Sequence, residues 1–438
     1  MRVAVTTLGC KVNQYDTATI ETRLRNEGCE VVPFTPGADV YIVNSCTVTD
    51  RADAESRQLA RRARRFNAAA RVIMTGCFAQ VSPQRAAIPE VDHVVGLNRL
   101  PDLLRAVRGE LVATSERMLV DDLRTARRVR TLGAETFTGQ TRAFLKIQEG
   151  CDLFCTFCIV PMARGRSRSV PPRDVLAQLE MLGARGFQEV VFTGVHLGGY
   201  GRDLEPAIEL CDLLEMLVEQ SPVPRLRLSS IDPPEVTPRL LRLIARSAVL
   251  CPHLHVPIQA GHDEVLRRMR RKYDANFVRA LTQEIRGVLP EAAIGTDVIA
   301  GFPGETDAQF EATLELLGSL PLTYLHVFPY SQRGGTTAAK LTPQVTAAGI
   351  KRRAQRLRKL GEAKRAAFAD GFVGTHMRVL VEATAARAPD RVHGYSRNYQ
   401  RVELNAAPGL ANREVTATIL AAQGAILLGQ LAEDAGHE

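Results

Sequence analysis

The chain has 438 residues, of which 45% are hydrophobic, and a formal net charge of +8 at pH 7. This length exceeds what one hydrophobic core supports and predicts roughly two to four domains, and the excess of basic residues is typical of proteins that bind a polyanion. Apolar runs stay well short of the ~20 residues that a membrane span requires, and the start, "MRVAVTTLGC", lacks the apolar core of a secretion signal. We therefore expect a cytoplasmic protein with no membrane segment.

The first third of the chain alternates predicted strands with predicted helices. Short β-branched segments predict the strands, which are "RVAVTTLG", "EVVPF", "ADVYIVNSC" and "RVIMTGCF". Longer amphipathic segments between them predict the helices, which are "NQYDTATIETRLRNEG" and "DRADAESRQLARRARRF". This alternation indicates a doubly wound parallel sheet.

Three cysteines occupy equivalent places in this predicted sheet. Cys10 follows the first strand, Cys46 ends the third and Cys77 ends the fourth. Because ligands of open α/β sheets bind beyond the carboxyl ends of the strands, we expect these thiols to share one edge and to hold an iron–sulfur cluster or zinc. Three unrelated cysteines are the alternative. Asn13 and Asn44 are candidate polar supports of the same edge, or simply caps.

A second group of cysteines follows the predicted strand "RAFLKIQEGC" with the spacing C-x3-C-x2-C, at Cys151, Cys155 and Cys158. A zinc ribbon would need a fourth ligand nearby, but the next histidine, His196, belongs to a different element. An incomplete set of three thiolates suits an iron–sulfur cluster whose fourth iron stays free for a substrate. Basic side chains of the next segment would favour thiolates and offset the charge of a cluster, or contact RNA phosphates; they are Arg164, Arg166 and Arg168.

The following segment repeats strand and helix, which gives six units when the strand before the second cysteine group is counted. Such a repeat predicts a partial (β/α)6 TIM-type barrel, whose functional residues lie at the carboxyl ends of the strands. An isolated polar residue at such a place is more often structural. Several polar and glycine residues share this position here, however, and that makes them candidates for binding a cofactor. The candidates are Thr193, Gly194, His196, Ser229, Asp232, Gln259, Asp297 and Gly301.

The second cysteine group, with Phe157 before its last member, reads C-x3-C-x-aromatic-C. This pattern resembles the signature of the radical S-adenosylmethionine superfamily. The resemblance implies a 4Fe–4S cluster on Cys151, Cys155 and Cys158, and S-adenosylmethionine bound at its open iron. It also implies that Phe157 and the strand-end candidates contact S-adenosylmethionine.

Nearly the whole chain resembles the methylthiotransferase family, which inserts sulfur and a methyl group into a C–H bond. The resemblance rests on "TLGCKVNQYDT", "NSCTVT", "TGCFAQ", "TGVHLGGYG", "LSSIDP", "HVPIQAG" and "GTDVIAGFPGE". It implies a second, auxiliary 4Fe–4S cluster on Cys10, Cys46 and Cys77. "TLGCKVNQ" and "ARGRSRS" are similar to the branch that modifies carbon 2 of N6-threonylcarbamoyladenosine at position 37 of tRNA. Met162 departs from the family, which has an aromatic residue there.

The C-terminal segment contains short strand-like runs, "MRVLVEA", "QRVELN", "EVTATILAA" and "AILLGQL", which predict a small antiparallel barrel. It resembles the RNA-binding TRAM barrel of the same family. Tyr395, Arg397 and Tyr399 are candidates for stacking on bases and contacting phosphates, although the tyrosines could equally pack the barrel. The predicted domains are 1–125 (methylthiotransferase), 136–368 (radical barrel) and 369–438 (TRAM).

The resemblance implies the anticodon loop of tRNA as substrate, an electron donor such as a flavodoxin or ferredoxin, and a sulfur source. Two other functions stay open from the sequence. The enzyme could act on isopentenyladenosine in tRNA or on a ribosomal protein. In a different class, the chain could be a non-catalytic RNA-binding protein containing zinc.

Overall fold

The computed structural model describes residues 1–112, 115–126, 129, 133–135, 137, 140–382 and 391–432. The N-terminal region is a six-stranded parallel sheet in the order β2-β1-β3-β4-β5-β6, flanked by helices. Its elements are β1 (Arg2–Thr7), α1 (Lys11–Asn26), β2 (Glu30–Val32), β3 (Val40–Ser45), α2 (Asp50–Phe66), β4 (Arg71–Thr75), α3 (Gly76–Val81), α4 (Pro83–Ala86), β5 (His93–Val95), α5 (Leu100–Arg108) and β6 (Met118–Leu119).

Alternate residues of the central strands enter two separate apolar layers. Tyr41 and Met74 belong to the layer that includes Phe78, whereas Ile42 and Ile73 belong to the layer that includes helix α5. Successive side chains of a strand point to opposite faces, and a parallel sheet is normally covered on both faces. The predicted doubly wound sheet is therefore confirmed.

The central region is the predicted partial barrel. Its elements are β7 (Arg142–Lys146), β8 (Gln148–Glu149), α6 (Val160–Arg164), β9 (Arg168–Ser169), α7 (Pro172–Ala184), β10 (Glu189–Thr193), α8 (Leu210–Gln220), β11 (Arg225–Leu228), α9 (Pro238–Arg246), β12 (His253–His255), α10 (Asp263–Arg268), α11 (Ala275–Val288), β13 (Ala293–Ala300), α12 (Asp307–Ser319), β14 (Tyr324–Pro329) and α13 (Ala347–Asp370).

The barrel consists of two three-stranded parallel sheets, with the orders β11-β10-β7 and β12-β13-β14. Isolated parallel bridges connect the two sheets between β11 and the segment around β12. Strands β7 and β14 are the two edge strands of the partial barrel. Helices α1 and α2 of the N-terminal region contact residues at or near these two strands. On one side, Lys146 Nζ of β7 lies 2.7 Å from a carboxylate oxygen of Asp16. On the other, Arg333, just after β14, pairs at 2.6 Å with the fully buried Asp53. The N-terminal region therefore covers the gap of the partial barrel.

The C-terminal strands form a closed barrel in the order β15-β16-β17-β19-β18. Closure leaves no free strand edge for other chains to pair with. All pairs are antiparallel except β17 with β19, which run parallel where the barrel closes. The strands are β15 (His376–Val381), β16 (Arg391–Ser396), β17 (Arg401–Asn405), β18 (Glu414–Gln423) and β19 (Ile426–Leu431). Among the described residues, no helix combines the length and hydropathy that crossing a bilayer requires.

A buried ion cluster joins the C-terminal barrel to the N-terminal ends of the central strands. The carboxylate of Glu189, at the start of β10, lies 2.7 Å from a guanidinium nitrogen of both Arg225 and Arg227, and all three side chains are fully buried. Arg225 also donates to the backbone oxygens of Tyr395 and Ser396 at 3.1 Å. This cluster holds the C-terminal barrel against the N-terminal ends of the central-barrel strands.

We expect Glu189→Gln to lower the free energy of unfolding by about 3–5 kcal/mol, because it leaves two buried guanidinium groups without their carboxylate. Burial opposes the charge of Glu189, but Arg227 and Arg225 lower its pKa to about 2, from 4.5. The stabilisation is therefore complete above about pH 4.5 and is lost as the pH falls toward 2. Urea unfolding should show a gap between variant and wild type that narrows below pH 4.5. Glu110→Gln, which removes an exposed pair with Arg108, is the control and should match the wild type.

Candidate functional site

The three N-terminal cysteines lie at neighbouring strand ends. Cys10 follows β1 and directly precedes helix α1, Cys46 follows β3, and Cys77 lies in the first turn of α3 after β4. The strands pair in parallel in the order β1-β3-β4. Gly9 has a φ of +100°, and a Cβ there would lie 2.9 Å from the Cys46 sulfur, so only glycine lets these two loops approach so closely.

Two asparagines hold these loops together. The Asn13 amide donates to the backbone oxygens of Leu8 at 2.7 Å and Ser45 at 3.0 Å, and so ties the end of β1 to the end of β3. The Asn44 amide donates to the backbone oxygen of Asn13 at 2.9 Å. The Asn13 side-chain oxygen also lies 3.7 Å from the Cys77 sulfur. Both residues have the supporting contacts that the sequence suggested for them.

The second cysteine group lies on the loop between β8 and α6. The Cys151 amide donates to the backbone oxygen of Gly165 at 3.1 Å, and the Cys158 amide donates to that of Cys155 at 3.0 Å, so the loop folds back on itself. Arg271 donates to the Cys155 sulfur at 3.2 Å and is also in direct contact with the carboxylate of Asp232. A cation from the segment after helix α10 thus lies against this cysteine loop.

Three of these cysteine side chains have a strongly raised pKa and must lose a proton before they can bind a metal. Burial raises the pKa of Cys77, Cys151 and Cys158 to about 12. At neutral pH these groups are therefore thiols, and they become thiolates when a metal displaces the proton. Thiols with so high a pKa do not fit free reactive cysteines.

The spacing of the sulfur atoms does not match the geometry of a single zinc ion. Four ligands around zinc, at about 2.3 Å each, place their sulfur atoms only about 3.8 Å apart. In the part of the chain that the structure describes, neither cysteine set has all three sulfur atoms within 4.8 Å of one another.

A cavity of about 160 Å³ lies between the two cysteine-bearing regions. Phe157 and Cys158 line one part, Gln259 and Asp297 another, and the loop after Cys46 and the end of β14 complete the lining. Gln259 has a φ of +72°, in the left-handed region that favours glycine, and such strain is often found at functional sites. The structure therefore brings Phe157, Gln259 and Asp297 together beside the second cysteine group.

The remaining candidates at the ends of β10 and β11 have different surroundings. Gln148 accepts from the His196 amide at 2.8 Å, and a Cβ on Gly194 would lie 3.0 Å from the same side-chain oxygen. The His196 ring pairs with Glu235 at 2.8 Å. The buried hydroxyl of Ser229 has no hydrogen-bond partner among the described residues, so it is available to a ligand. Thr193 is buried at the end of β10.

Gly301 has a packing reason to be glycine. Its φ is +80°, and a Cβ there would come within 2.5 Å of the Ile350 side chain on helix α13. Its amide donates to the carboxylate of Glu305 at 3.0 Å. These contacts explain the glycine without a cofactor.

The structure corrects the expectation that all three arginines after the cysteine loop face RNA. Arg164 and Arg168 are only 2% and 4% exposed. Arg164 donates to Asn13 at 2.6 Å and to Asp16 at 2.8 Å, which joins the barrel to the N-terminal region beside Cys77. A guanidinium that is saturated by buried partners cannot reach a phosphate. Only Arg166 is exposed.

The aromatic and basic candidates of the C-terminal barrel lie at its interface with the central barrel. The Tyr399 ring has guanidinium groups of Arg227 and Arg142 at 4.9 and 5.5 Å from its centroid, and it stacks on Tyr395 at 5.1 Å. Arg397 pairs with Glu414 at 2.8 Å. This location favours the packing alternative, and RNA contact by these three residues stays a prediction.

Two features of the site escaped the sequence analysis. Arg271 lies in the basic run "RRMRRKY", which gave no reason to single out one arginine. Asp297 is flanked by His255, at 2.8 Å, and by His326, at 3.4 Å, and neither histidine was among the candidates. The methyl group of Met162, the residue that departs from the family, packs against Gly335. A Cβ on Gly335 would lie 2.7 Å from this methyl group.

Comparison with known proteins agrees with this arrangement. Residues 145–317 match the model of the radical SAM superfamily, and residues 2–96 match that of the uncharacterized protein family UPF0004. The fold is similar to that of TsrM, a radical S-adenosylmethionine methyltransferase from Kitasatospora setae, with a TM-score of 0.57 and 18% identity over 77% of each chain.

Two relatives match over nearly their full length. Threonylcarbamoyladenosine tRNA methylthiotransferase MtaB of Bacillus subtilis (strain 168) is 38% identical over 423 residues, which are 96% of this chain and 94% of the relative. The tRNA-2-methylthio-N(6)-dimethylallyladenosine synthase of Desulfitobacterium hafniense (strain Y51) is 31% identical over 99% of this chain and 98% of its own. With its radical SAM segment and its two sets of three cysteines, the chain belongs to the radical SAM tRNA methylthiotransferases, in the threonylcarbamoyladenosine branch.

Proposed function

We propose that this protein methylthiolates carbon 2 of N6-threonylcarbamoyladenosine at position 37 of tRNA. The observation that carries the proposal is the cavity between the two cysteine regions. One wall is the loop that follows Cys46, and the other includes Cys158 and the strand-end residue Asp297. A base that enters this cavity would lie between the group that starts the reaction and the group that holds sulfur.

Membership in the radical SAM superfamily brings S-adenosylmethionine and a 4Fe–4S cluster, which Cys151, Cys155 and Cys158 would hold. When bound, the reduced cluster supplies the electron that cleaves S-adenosylmethionine. The chain's own residues bind and orient: Arg271 holds Asp232 and the Cys155 sulfur in one network. The apolar walls of the cavity exclude water from reactive species.

A second 4Fe–4S cluster on Cys10, Cys46 and Cys77 is part of the proposal. Support comes from two of the thiols being buried and from the cation of Arg164, which lies beside Cys77 and would offset the negative charge of such a cluster. An electron donor of the flavodoxin or ferredoxin class and a separate sulfur source complete the reaction. The target base has to leave the stack of the anticodon loop to reach the cavity.

The first experiment is anaerobic purification followed by iron and acid-labile sulfide analysis. We expect about eight irons per chain, falling to about four when Cys151, Cys155 and Cys158 are all replaced by alanine. The same preparation, supplied with S-adenosylmethionine and reductant, is then tested on tRNA carrying threonylcarbamoyladenosine and on tRNA carrying isopentenyladenosine. Mass spectrometry of the nucleosides should show the methylthio product from the first tRNA.

Two results would contradict the proposal. Zinc in place of iron, without labile sulfide after reconstitution, would favour the non-catalytic RNA-binding protein. Product only from isopentenyladenosine tRNA would show that this tRNA is the substrate instead. The 31% identity to the dimethylallyladenosine synthase is the observation that supports this second candidate.

A further inference from the structure

The loop of the second cysteine set presents an aromatic side chain to solvent. Phe154, between Cys151 and Cys155, is 42% exposed. Its φ of +48° lies in the left-handed region, which is uncommon for a residue with a bulky side chain. Neither burial in a core nor the turn itself explains a phenylalanine there. Strain and exposure together at one residue of a functional loop suggest contact with a ligand.

An arginine holds this ring in place. The guanidinium carbon of Arg166 lies 5.1 Å from the centroid of the Phe154 ring, and Asp152 accepts from the same guanidinium at 3.2 Å. The backbone brings Arg166 here: Gly150 has a φ of +75°, and a Cβ on it would lie 1.9 Å from the Arg166 oxygen. The two segments therefore touch, and the pair of Phe154 and Arg166 is built by the fold.

The cavity that Phe157 and Cys158 of the same loop line also carries exposed apolar side chains. Val48 and Phe328, which line the cavity, are 47% and 39% exposed, and Met162, on helix α6 directly after the cysteine loop, is 47% exposed. An aromatic ring backed by a guanidinium is the combination that proteins use to stack on unpaired nucleic-acid bases.

We propose that Phe154 stacks on the base of a nucleotide that flanks the target adenosine in the anticodon loop, with Arg166 behind the ring. This inference rests on the proposed function, which makes tRNA the substrate. When the target base leaves the stack, its neighbour loses a stacking partner, and unstacking costs free energy. The Phe154 ring replaces that partner and keeps the neighbouring base outside the cavity while the target enters it.

The test compares Phe154→Leu with Phe154→Trp. Both keep an apolar side chain at the strained position, but only tryptophan keeps a flat aromatic face. An anticodon stem–loop RNA carrying threonylcarbamoyladenosine, with 2-aminopurine beside it, reports both affinity and stacking through its fluorescence. We expect Phe154→Leu to weaken binding and raise KM about tenfold with a smaller change in kcat, and Phe154→Trp to stay within about twofold of wild type.

Two further variants complete the design. Arg166→Ala should weaken binding and also reduce its dependence on salt concentration, because a cation near phosphates is lost. Phe277→Leu is the matched control, since Phe277 is 40% exposed but lies on the outer helix α11; it should bind RNA like the wild type. All proteins are compared at equal iron content, so that loss of a cluster cannot imitate loss of a base contact.

The possible results separate the two proposals. A wild type that forms product, with Phe154→Leu binding RNA as tightly as Phe154→Trp and with equal 2-aminopurine fluorescence, would overturn the stacking role and leave the function intact. A wild type that binds RNA in a Phe154-dependent manner but forms no product would support stacking and contradict the proposed function.

Discussion

Replacing Cys155 by alanine is expected to abolish turnover, with a loss on the order of 10³-fold or more because the cluster that starts the reaction loses a ligand. Cys155 is the member of its set that Arg271 contacts, at 3.2 Å. Both 5′-deoxyadenosine and methylthiolated nucleoside should disappear, and both are measured by liquid chromatography with mass spectrometry after incubation with reductant.

The control for this change is Cys29→Ala. Cys29 is partly buried like Cys155, but it packs against the apolar layer of the N-terminal sheet on the α5 side. Its replacement should leave iron content and turnover at the wild-type level. Formation of 5′-deoxyadenosine by the Cys155 variant above the level without S-adenosylmethionine would show that the second cysteine set does not hold the cluster.

Replacing Cys46 by alanine is expected to separate the two halves of the reaction. Cys46 is buried beside Gly9, at the strand ends of the N-terminal sheet. Its replacement leaves Cys151, Cys155 and Cys158 unchanged. The variant should therefore still form 5′-deoxyadenosine, whereas the methylthiolated product should fall by about 10²-fold or more because the auxiliary cluster loses a ligand. Iron content should fall from about eight toward about four per chain.

Cys211→Ala is the matched control, since Cys211 is equally buried but packs in helix α8, in the core of the central barrel. It should lose neither iron nor product. Full methylthiolation by the Cys46 variant would contradict the role of the N-terminal region in sulfur transfer. Loss of 5′-deoxyadenosine as well would mean that this region is needed before the radical step.

The buried arginines explain why the three regions form one unit. Arg164 joins the N-terminal sheet to the central barrel through Asn13 and Asp16, and Arg227 donates to Glu189 of the central barrel and to the backbone of Arg397 in the C-terminal barrel. Buried pairs of this kind add little net stability, but breaking one partner is costly. Arg164 holds the N-terminal region beside the cysteine loop of the central barrel, whereas Arg227 holds the C-terminal barrel at the other ends of the strands.

The sequence by itself determined the alternation of strands and helices, the place of each cysteine at a strand end and the C-x3-C-x2-C loop. These features depend on periodicity and spacing within short windows, which residue types specify directly. Their places at strand ends likewise predicted that Gln259 and Asp297 belong to the functional site, and the structure places both around one cavity with Phe157 of the cysteine loop.

Only the tertiary structure decided which charged and aromatic residues face solvent. Arg164 and Arg166 are two residues apart in one basic segment, yet Arg164 bonds to Asn13, 151 positions away, and Arg166 remains exposed. Likewise, the Tyr399 ring lies beside Arg142 and Arg227 of the central barrel, a location that its local sequence does not indicate. Such contacts depend on how separate elements pack, because burial and partner choice are set by distant parts of the chain and leave no local pattern.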